Sequence, residues 1–318
     1  ATVVACLLCL FAATGKGEGE VSRIAFGSCL NQNLAAPIWE AVVAADPQLW
    51  VWLGDNIYGD TDDPQVLGAA YGKVKRDAGY ARLLGGARAL GTWDDHDFGK
   101  NNGGREWGGK AAAKAALLDF LDEPADSPRR DREGVYASYA FGAGDRRVKL
   151  LLVDVRWFRD VPGEAGGDLF GPAQREWIRR ELSDGPAALT IVASGTQVIP
   201  ENHRYEKWAQ FPEARRWFFE QLAEAGVGAT LLLSGDRHIG EFSQLELPGL
   251  ERPVFEATSS SLTHSWKAFP GEPNRHRVGE VVTQNNFGLL EIDWEARVYR
   301  VSLRGEDGAT LLERELPL

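Results

Sequence analysis

Five apolar segments of strand length in this chain each break off into a compact polar cluster, and that recurrence constrains the fold more than any other feature. Residues 21–27 run into Ser28-Cys29. Residues 48–53, QLWVWL, run into Gly54-Asp55-Asn56-Ile57-Tyr58. Residues 88–93 run into Asp94-Asp95-His96-Asp97. Residues 188–193 run into Ser194-Gly195-Thr196-Gln197, and residues 229–233 into Ser234-Gly235-Asp236-Arg237-His238. Helical patterns fill the intervals: 37–46 with Pro37 in its first turn, 65–84 broken around Gly79, the Ala-rich 111–121, then 172–182 and 212–225. Residues 135–141 and 148–153 predict an antiparallel pair joined by a Gly-containing turn. After Glu241 the pattern turns to strand, at 242–247, 254–258, 287–292 and 298–303. Strands alternating with helices, followed by a run of strands, predict a mixed α/β layered fold in a single domain. Ligands of open α/β sheets bind beyond the C-terminal strand ends, so the five clusters are expected to converge on one crevice.

Asp, Asn, His, Cys and Tyr at such a place form a metal-ligand set that mixes hard oxygen donors with one soft thiolate. Singly, each has a bland reading. Asp55-Asn56 suits a turn or helix cap. Residues 94–97 suit a solvated loop, His238 a structural histidine, and Cys29 a buried apolar filler. The repetition at strand ends favours ligation.

Composition narrows the class. The 318 residues carry 35 Lys and Arg against 46 Asp and Glu, so the net charge is 35 − 46 = −11. Hydrophobic residues at 44% and charged ones at 25% exclude disordered, collagen-like and multi-span membrane classes. The acidic balance argues against a nucleic-acid or anionic-membrane footprint. Eleven Trp predict an aromatic-rich core. The lack of any Met reads as a trimmed start. Three Cys leave no complete disulfide framework. Cys6 and Cys9 lie in an uncharged apolar run, residues 2–14, too short to span a bilayer. It reads as the h-region of an export signal, with Ala12-Ala13-Thr14-Gly15 as the cleavage region. Val3-Val4-Ala5-Cys6 also resembles a lipid-attachment box. The expected organisation is a signal peptide or export tail at 1–20 and one domain at 21–318. The expected location is secreted, periplasmic or cell-surface, with a lipoprotein as the variant and no transmembrane span in the mature chain. Cys29 is then a lone thiol needing a task, either metal ligation or nucleophilic attack.

Phe26-Gly-Ser-Cys29, Leu53-Gly-Asp-Asn-Ile-Tyr58-Gly-Asp, Thr92-Trp-Asp-Asp-His-Asp97, Val153-Asp-Val-Arg156 and Leu233-Ser-Gly-Asp-Arg-His238 together resemble the PhoD-like alkaline phosphatase D family. That family is a branch of the calcineurin-like metallophosphoesterases, and the likeness runs in order over roughly residues 21–303. It implies a four-layer α/β/β/α sandwich of two mixed sheets. It also implies hydrolysis of phosphomonoesters, phosphodiesters or both, through a metal-activated hydroxide at a multinuclear centre. By that resemblance Asp55 bridges the metals, Cys29 and Tyr58 hold Fe3+, and His238 is the last metal-binding His. Asp95 and Asp236 supply oxygens to Ca2+, although the donor types also admit Zn2+, Mn2+ or Mg2+. His96 stabilises the transition state or protonates the leaving group. Asn56 stands where better-known bacterial members carry Tyr, and Gln197 where many metallophosphoesterases carry His. Both are expected at the substrate, as is His96. Arg156, Arg237 and residues 203–208 match pocket positions, and either Arg would hold a phosphate oxygen bidentately. The sandwich module preceding this domain in some relatives and their C-terminal lid helix find no counterpart here, so a more open site is expected. The expected partner is a phosphate-ester small molecule or polymer.

Two other readings stand beside this one. A non-catalytic, metal-stabilised binding protein on the same fold should have lost ligands, yet all six are present. A Ser28 or Cys29 nucleophile lacks the G-x-S-x-G frame of a nucleophile elbow.

Overall fold

The structure, a computed structural model, describes residues 19–318. The apolar run at 2–14, with the export reading attached to it, lies outside the described residues. In chain order the strands are β1 (Arg23–Gly27), β2 (Leu49–Leu53), β3 (Arg88–Thr92), β4 (Ala137–Phe141), β5 (Val148–Leu152), β6 (Leu189–Ala193), β7 (Ala229–Ser234), β8 (Gly240–Leu245), β9 (Val254–Ser259), β10 (Phe287–Asp293), β11 (Val298–Arg304) and β12 (Thr310–Pro317). The helices are α1 (Ile38–Ala44), α2 (Pro64–Arg76), α3 (Ala78–Leu84), α4 (Asp95–Phe98), α5 (Lys110–Phe120), α6 (Pro128–Asp131), α7 (Gly171–Ser183) and α8 (Pro212–Glu224).

Two six-stranded mixed sheets result, ordered β12-β11-β10-β1-β2-β3 and β4-β5-β6-β7-β9-β8. Strand periodicity explains how they stack. Successive side chains point to opposite faces. Ile24 and Phe26 of β1, Val51 and Leu53 of β2, Leu150 and Leu152 of β5, and Leu231 and Leu233 of β7 share one buried cluster between the sheets. The alternate residues Ala25, Trp50 and Trp52 face outward onto α1, α2, α3 and α5. Leu151, Val192 and Leu232 face outward onto α7 and α8. Strands apolar on both faces are what such coverage requires. The four-layer α/β/β/α sandwich in one domain is therefore present.

The Trp-rich core is concentrated under α1. Trp39, Trp50 and Trp52 meet edge-to-face at centroid distances of 5.0–5.6 Å. Trp52 Nε1 donates to Tyr80 Oη at 3.0 Å, which satisfies a polar atom inside that cluster.

Three local expectations need correction. The break in 65–84 falls at Asp77, not Gly79, because the Asp77 carboxylate accepts from the N–H groups of Gly79 and Tyr80 and caps α3. Residues 94–97 are not simply a loop: their last three open the short helix α4. The segment after 303, to which the sequence pattern assigned no element, is the edge strand β12, antiparallel to β11. Its exposed side chains hide it from hydropathy, and Pro317 is tolerated at its last position on an edge.

Candidate metal centre

Strands β1, β2 and β3 run parallel in one sheet, and β5, β6, β7 and β9 in the other. Their C-terminal ends meet along one rim. Two bonds stitch the sheets there: Ser28 Oγ donates to Ser259 O at 3.1 Å, and Thr92 Oγ1 to Val153 O at 2.9 Å. Each strand then turns sharply. Cys29, Asp55, Asp236 and His238 occupy left-handed backbone, with φ of 59°, 48°, 71° and 54°. For non-glycine residues this costs about 1–2 kcal/mol each, so packing on both sides must hold the turns. At Gly54, φ is 90°, and a Cβ would sit 2.6 Å from Asp94 N. Only glycine lets β2 and β3 deliver Asp55 and Asp94 side by side.

The donors form a continuous chain. Ligand atoms of Cys29, Asp55 and His238 lie within 4.8 Å of one another; so do those of Asp55, Asp95 and His96, and those of Asp94, Asp95 and Asp236. Asp55 belongs to two of these groups, and Asp95 likewise. Tyr58 Oη lies 3.0 Å from Nε2 of His238 and 3.0 Å from Nε2 of His264. His96 Nδ1 lies 2.8 Å from Asp60 Oδ1, and its ring is tilted against Tyr58 at 4.2 Å. A cleft of about 770 Å³ opens over the group, lined by Asp55, Asp95, His96, Asp236, Arg237 and His238 among others.

The electrostatics test whether a cation suits this place. Burial pushes the Cys29 thiol up to about 11. Burial, then the neighbouring Cys29 and Asp95, pushes Asp55 well above the usual carboxylate range. Asp236 rises for the same reason, with Asp94 and Asp95 adding to it. Asp94 is pushed up to about 7 by burial, against the pull of Arg156. Burial, Cys29 and Asp55 raise the Tyr58 phenol. Burial lowers His238 to about 4. Asp95 runs the other way: burial opposes ionisation, but Arg156 and His96 outweigh it. Asp94 Oδ2 and Asp95 Oδ1 are buried without a hydrogen-bond donor. Protein alone thus gives so many acidic donors too little compensation, and a multivalent cation would supply it. The donor set fits metal ions.

All six expected ligands, Cys29, Asp55, Tyr58, Asp95, Asp236 and His238, lie on this rim. Several other expected site residues are placed differently. Arg156 is fully buried: its Nε donates to Asp94 Oδ1 at 2.6 Å and its Nη2 is 2.6 Å from Glu206 Oε2. It therefore holds Asp94 and cannot reach a phosphate oxygen. Asn56 is also fully buried, with Nδ2 donating to Thr92 O and Asp97 Oδ2. Gln197 donates from Nε2 to Glu241 Oε1 and Thr258 Oγ1. These two amides brace the turns beneath the cleft and do not line it. Arg237 does line the cleft, paired with Glu272. In the Val153-Asp-Val-Arg156 segment, Asp154 ties Trp93 Nε1 and the Val135 N–H together, a structural task.

Asp94 and His264 were not singled out from the sequence. Asp94 stands in the polar cluster at 94–97, within which only Asp95 and His96 were given roles. His264 follows β9 through Ser260-Ser261-Leu262-Thr263, the same strand-then-polar signal used elsewhere.

The sequence matches the PhoD-like phosphatase family over residues 24–286. No curated protein sequence matches it. One solved structure, described as PhoD, superposes with a TM-score of 0.76 at 16% identity, covering 95% of this chain and 69% of that one. Another, GAP50, described as the anchor in the inner membrane complex of Plasmodium, gives a TM-score of 0.62 at 14% identity, covering 94% and 89%. At these identities the two structures speak to the fold alone.

Proposed function

The chain belongs to the PhoD-like phosphatase family, and from that premise we propose a metal-dependent phosphoesterase that hydrolyses phosphomonoesters, phosphodiesters or both at the rim described above. The observation that carries this reading is the run of donors from both sheets in which Asp55 and Asp95 are each shared between neighbouring groups. Shared carboxylates can hold two cations close together, and the cations offset the repulsion between a phosphate ester and an anionic nucleophile. When bound, the cations supply Lewis-acid polarisation of the phosphoryl oxygens and a source of nucleophilic hydroxide at neutral pH.

The residues divide by chemistry. Cys29, Tyr58 and His238, with Asp55, are anionic or soft donors suited to Fe3+. Asp94, Asp95 and Asp236 are hard oxygen donors suited to Ca2+. Arg156 is a positioning residue that fixes Asp94. Arg237 offers a guanidinium on the cleft wall to a phosphate oxygen. His96 has Nδ1 engaged by Asp60, so Nε2 is the nitrogen left to serve the leaving oxygen. His96→Ala is expected to lower kcat by about 10²–10⁴. Asp60→Asn should lower it less, and both losses should grow as the leaving alcohol becomes more basic. Losses independent of the leaving group would remove His96 from proton delivery.

Elemental analysis beside paired assays on a monoester and a diester tests the whole reading. Bound iron and calcium, a visible tyrosinate-to-iron absorption and chelator-sensitive turnover are expected. An active but iron-free, colourless protein would overturn the ferric part, and activity indifferent to chelator the metal part. Export belongs to this reading too and rests on the apolar run at residues 2–14; among the described residues no helix is long and apolar enough to cross a membrane. The second reading, a non-catalytic scaffold, has the fold of GAP50 in its favour, since that protein is described as an anchor. The unbroken donor set favours catalysis.

A further inference from the structure

We propose that the cleft carries a second, aromatic half, in which Trp266 and Tyr205 receive a planar ring borne by the organic group of the phosphate ester, as a nucleobase is. This rests on the phosphoesterase reading for the identity of the reacting group. It does not follow from that reading, because none of these residues is among the metal donors.

Both aromatic rings line the same cleft as Asp55, Asp95, His96 and Asp236. Their ring centroids are 5.6 Å apart with planes at 82°. Phe269 braces Trp266 from another side at 5.2 Å and 87°. Perpendicular contacts with two rings fix the indole orientation before any ligand arrives. The Trp266 backbone N–H donates to the His238 carbonyl at 2.7 Å, so the backbone that carries the indole is tied to a proposed metal ligand. A group stacked on it therefore stays within one molecule's reach of the reacting phosphorus.

Two guanidinium groups complete the platform. Arg237 lies 4.4 Å from the Tyr205 ring centroid, and Arg204 lies 5.0 Å from it. Arg204 also donates to Tyr205 Oη at 2.9 Å. It is exposed, and among the described residues no carboxylate lies within ion-pair distance of it. Guanidinium planes and aromatic rings both stack on nucleobases, and the positive charge draws in an anionic ester.

Exposure separates this cluster from the tryptophans inside the sandwich; Trp107 and Trp217 are half-buried too, but lie outside this cleft. Trp39, Trp50, Trp52, Trp93 and Trp208 are fully buried in the layers of the sandwich. Trp266 and Tyr205 are only half-buried and sit on loops at the cleft wall. A ring kept partly in water at the edge of a polar cleft forgoes the stability of full burial, which a ligand platform explains.

The test compares adenosine 5′-monophosphate with ribose 5-phosphate on the metal-loaded protein. Both lose phosphate from the primary 5′-oxygen of a ribose, so the bond broken is matched and the base stands against an anomeric hydroxyl. A diesterase is tested with the methyl esters of the same pair. The expected result is a kcat/KM ratio of about tenfold or more in favour of the base-bearing ester, expressed mainly in KM. Trp266→Leu should bring that ratio close to one, and Trp266→Phe should retain most of it. Because the ratio is internal, a general disturbance of the centre lowers both substrates and leaves it unchanged. A wild-type ratio near one, or a ratio untouched by Trp266→Leu, overturns the platform. If none of the esters is turned over, the phosphoesterase reading fails separately. Adenosine against ribose in saturation-transfer NMR then still decides the platform: contact by adenosine that Trp266→Leu abolishes supports it, and equal or absent contact rejects it.

Discussion

Replacing Asp55 by Asn is expected to lower kcat on a nitrophenyl phosphate by roughly a thousandfold or more, while the fold survives. Asp55 is shared between the Cys29–His238 group and the Asp95–His96 group. Asn keeps the shape of the side chain and removes the anionic bridge. In the metal-free protein the change should cost little stability. Burial already drives the Asp55 carboxyl toward its neutral form, so a neutral amide replaces a group that is neutral in any case. The signature is thus a near-inactive variant with an ordinary melting curve and little response to added metal. Wild-type turnover in Asp55→Asn would sink the assignment of the centre.

Metal removal should make stability depend on pH in a definite direction. Asp55, Asp97 and Asp236 have carboxyls raised well above 3.8, chiefly by burial, and Asp94 and Glu256 are raised to about 7 for the same reason. A carboxyl with a raised folded pKa keeps its proton in the folded state after the unfolded chain has released it. Its contribution is therefore intact below the unfolded value and lost as pH rises through the folded one. The histidines oppose this. His203 and His238 are lowered to about 2 and about 4, mainly by burial, so their contribution is complete only well above 6.5 and is lost as pH falls. Near pH 7 the histidine contributions are nearly complete while the more numerous raised carboxyls still hold protons, so metal-free stability should fall as pH rises. Each retained proton accounts for about 1.4 kcal/mol per pH unit. A cation that replaces those protons removes the fall. At a free concentration a thousandfold above Kd it stabilises by about 4 kcal/mol. The metal-induced rise in Tm should consequently be larger at pH 7 than at pH 5.5. An equal shift at both values, or none, would contradict a cation in this carboxylate group.

The aromatic platform and the His96–Asp60 pair act on different quantities from these. The first alters which ester is held, the second how the leaving oxygen is served. Substrate preference can thus change without any change in metal content.

Much of the architecture was legible along the chain because its signals are local. The strand Leu49–Leu53 is an uninterrupted apolar run, which a strand covered on both faces requires. Pro37, Pro172 and Pro212 sit at or beside helix starts, where a missing N–H costs nothing. The strand β12 was not legible, since its partner β11 supplies the ladder while its own side chains face water. Asp77 was passed over for Gly79, although a carboxylate two residues before a helical N–H is a cap signal in its own right.

The candidate site divides in the same way. A polar cluster after a buried strand picked out the segments that hold Cys29, Asp55, Asp95, Asp236 and His238, the family resemblance named those residues within them, and the cluster rule applied once more would have reached the segment of His264. The rule could not separate residues that face the cleft from those that brace it. Asn56, Gln197 and Arg156 have the chemistry of substrate contacts, yet their donors are spent on Asp97, Glu241, Asp94 and Glu206. Those partners lie between 41 and 62 residues away in the hydrogen-bonded cases, beyond any local pattern.

By itself the sequence determined the alternation of strands and helices, the apolar faces that force two sheets between two helical layers, and the presence of one set of donors at each strand end. Those follow from side-chain periodicity and turn chemistry, which act over a few residues. Only the tertiary structure decided which donors meet. Cys29 reaches Ser260 across 231 positions, and Tyr58 reaches His264 across 206. Such neighbours are set by strand order and by the packing of one sheet on the other. The same packing decided that Arg156 is buried as a brace while Arg237 and Trp266 stay on the cleft wall.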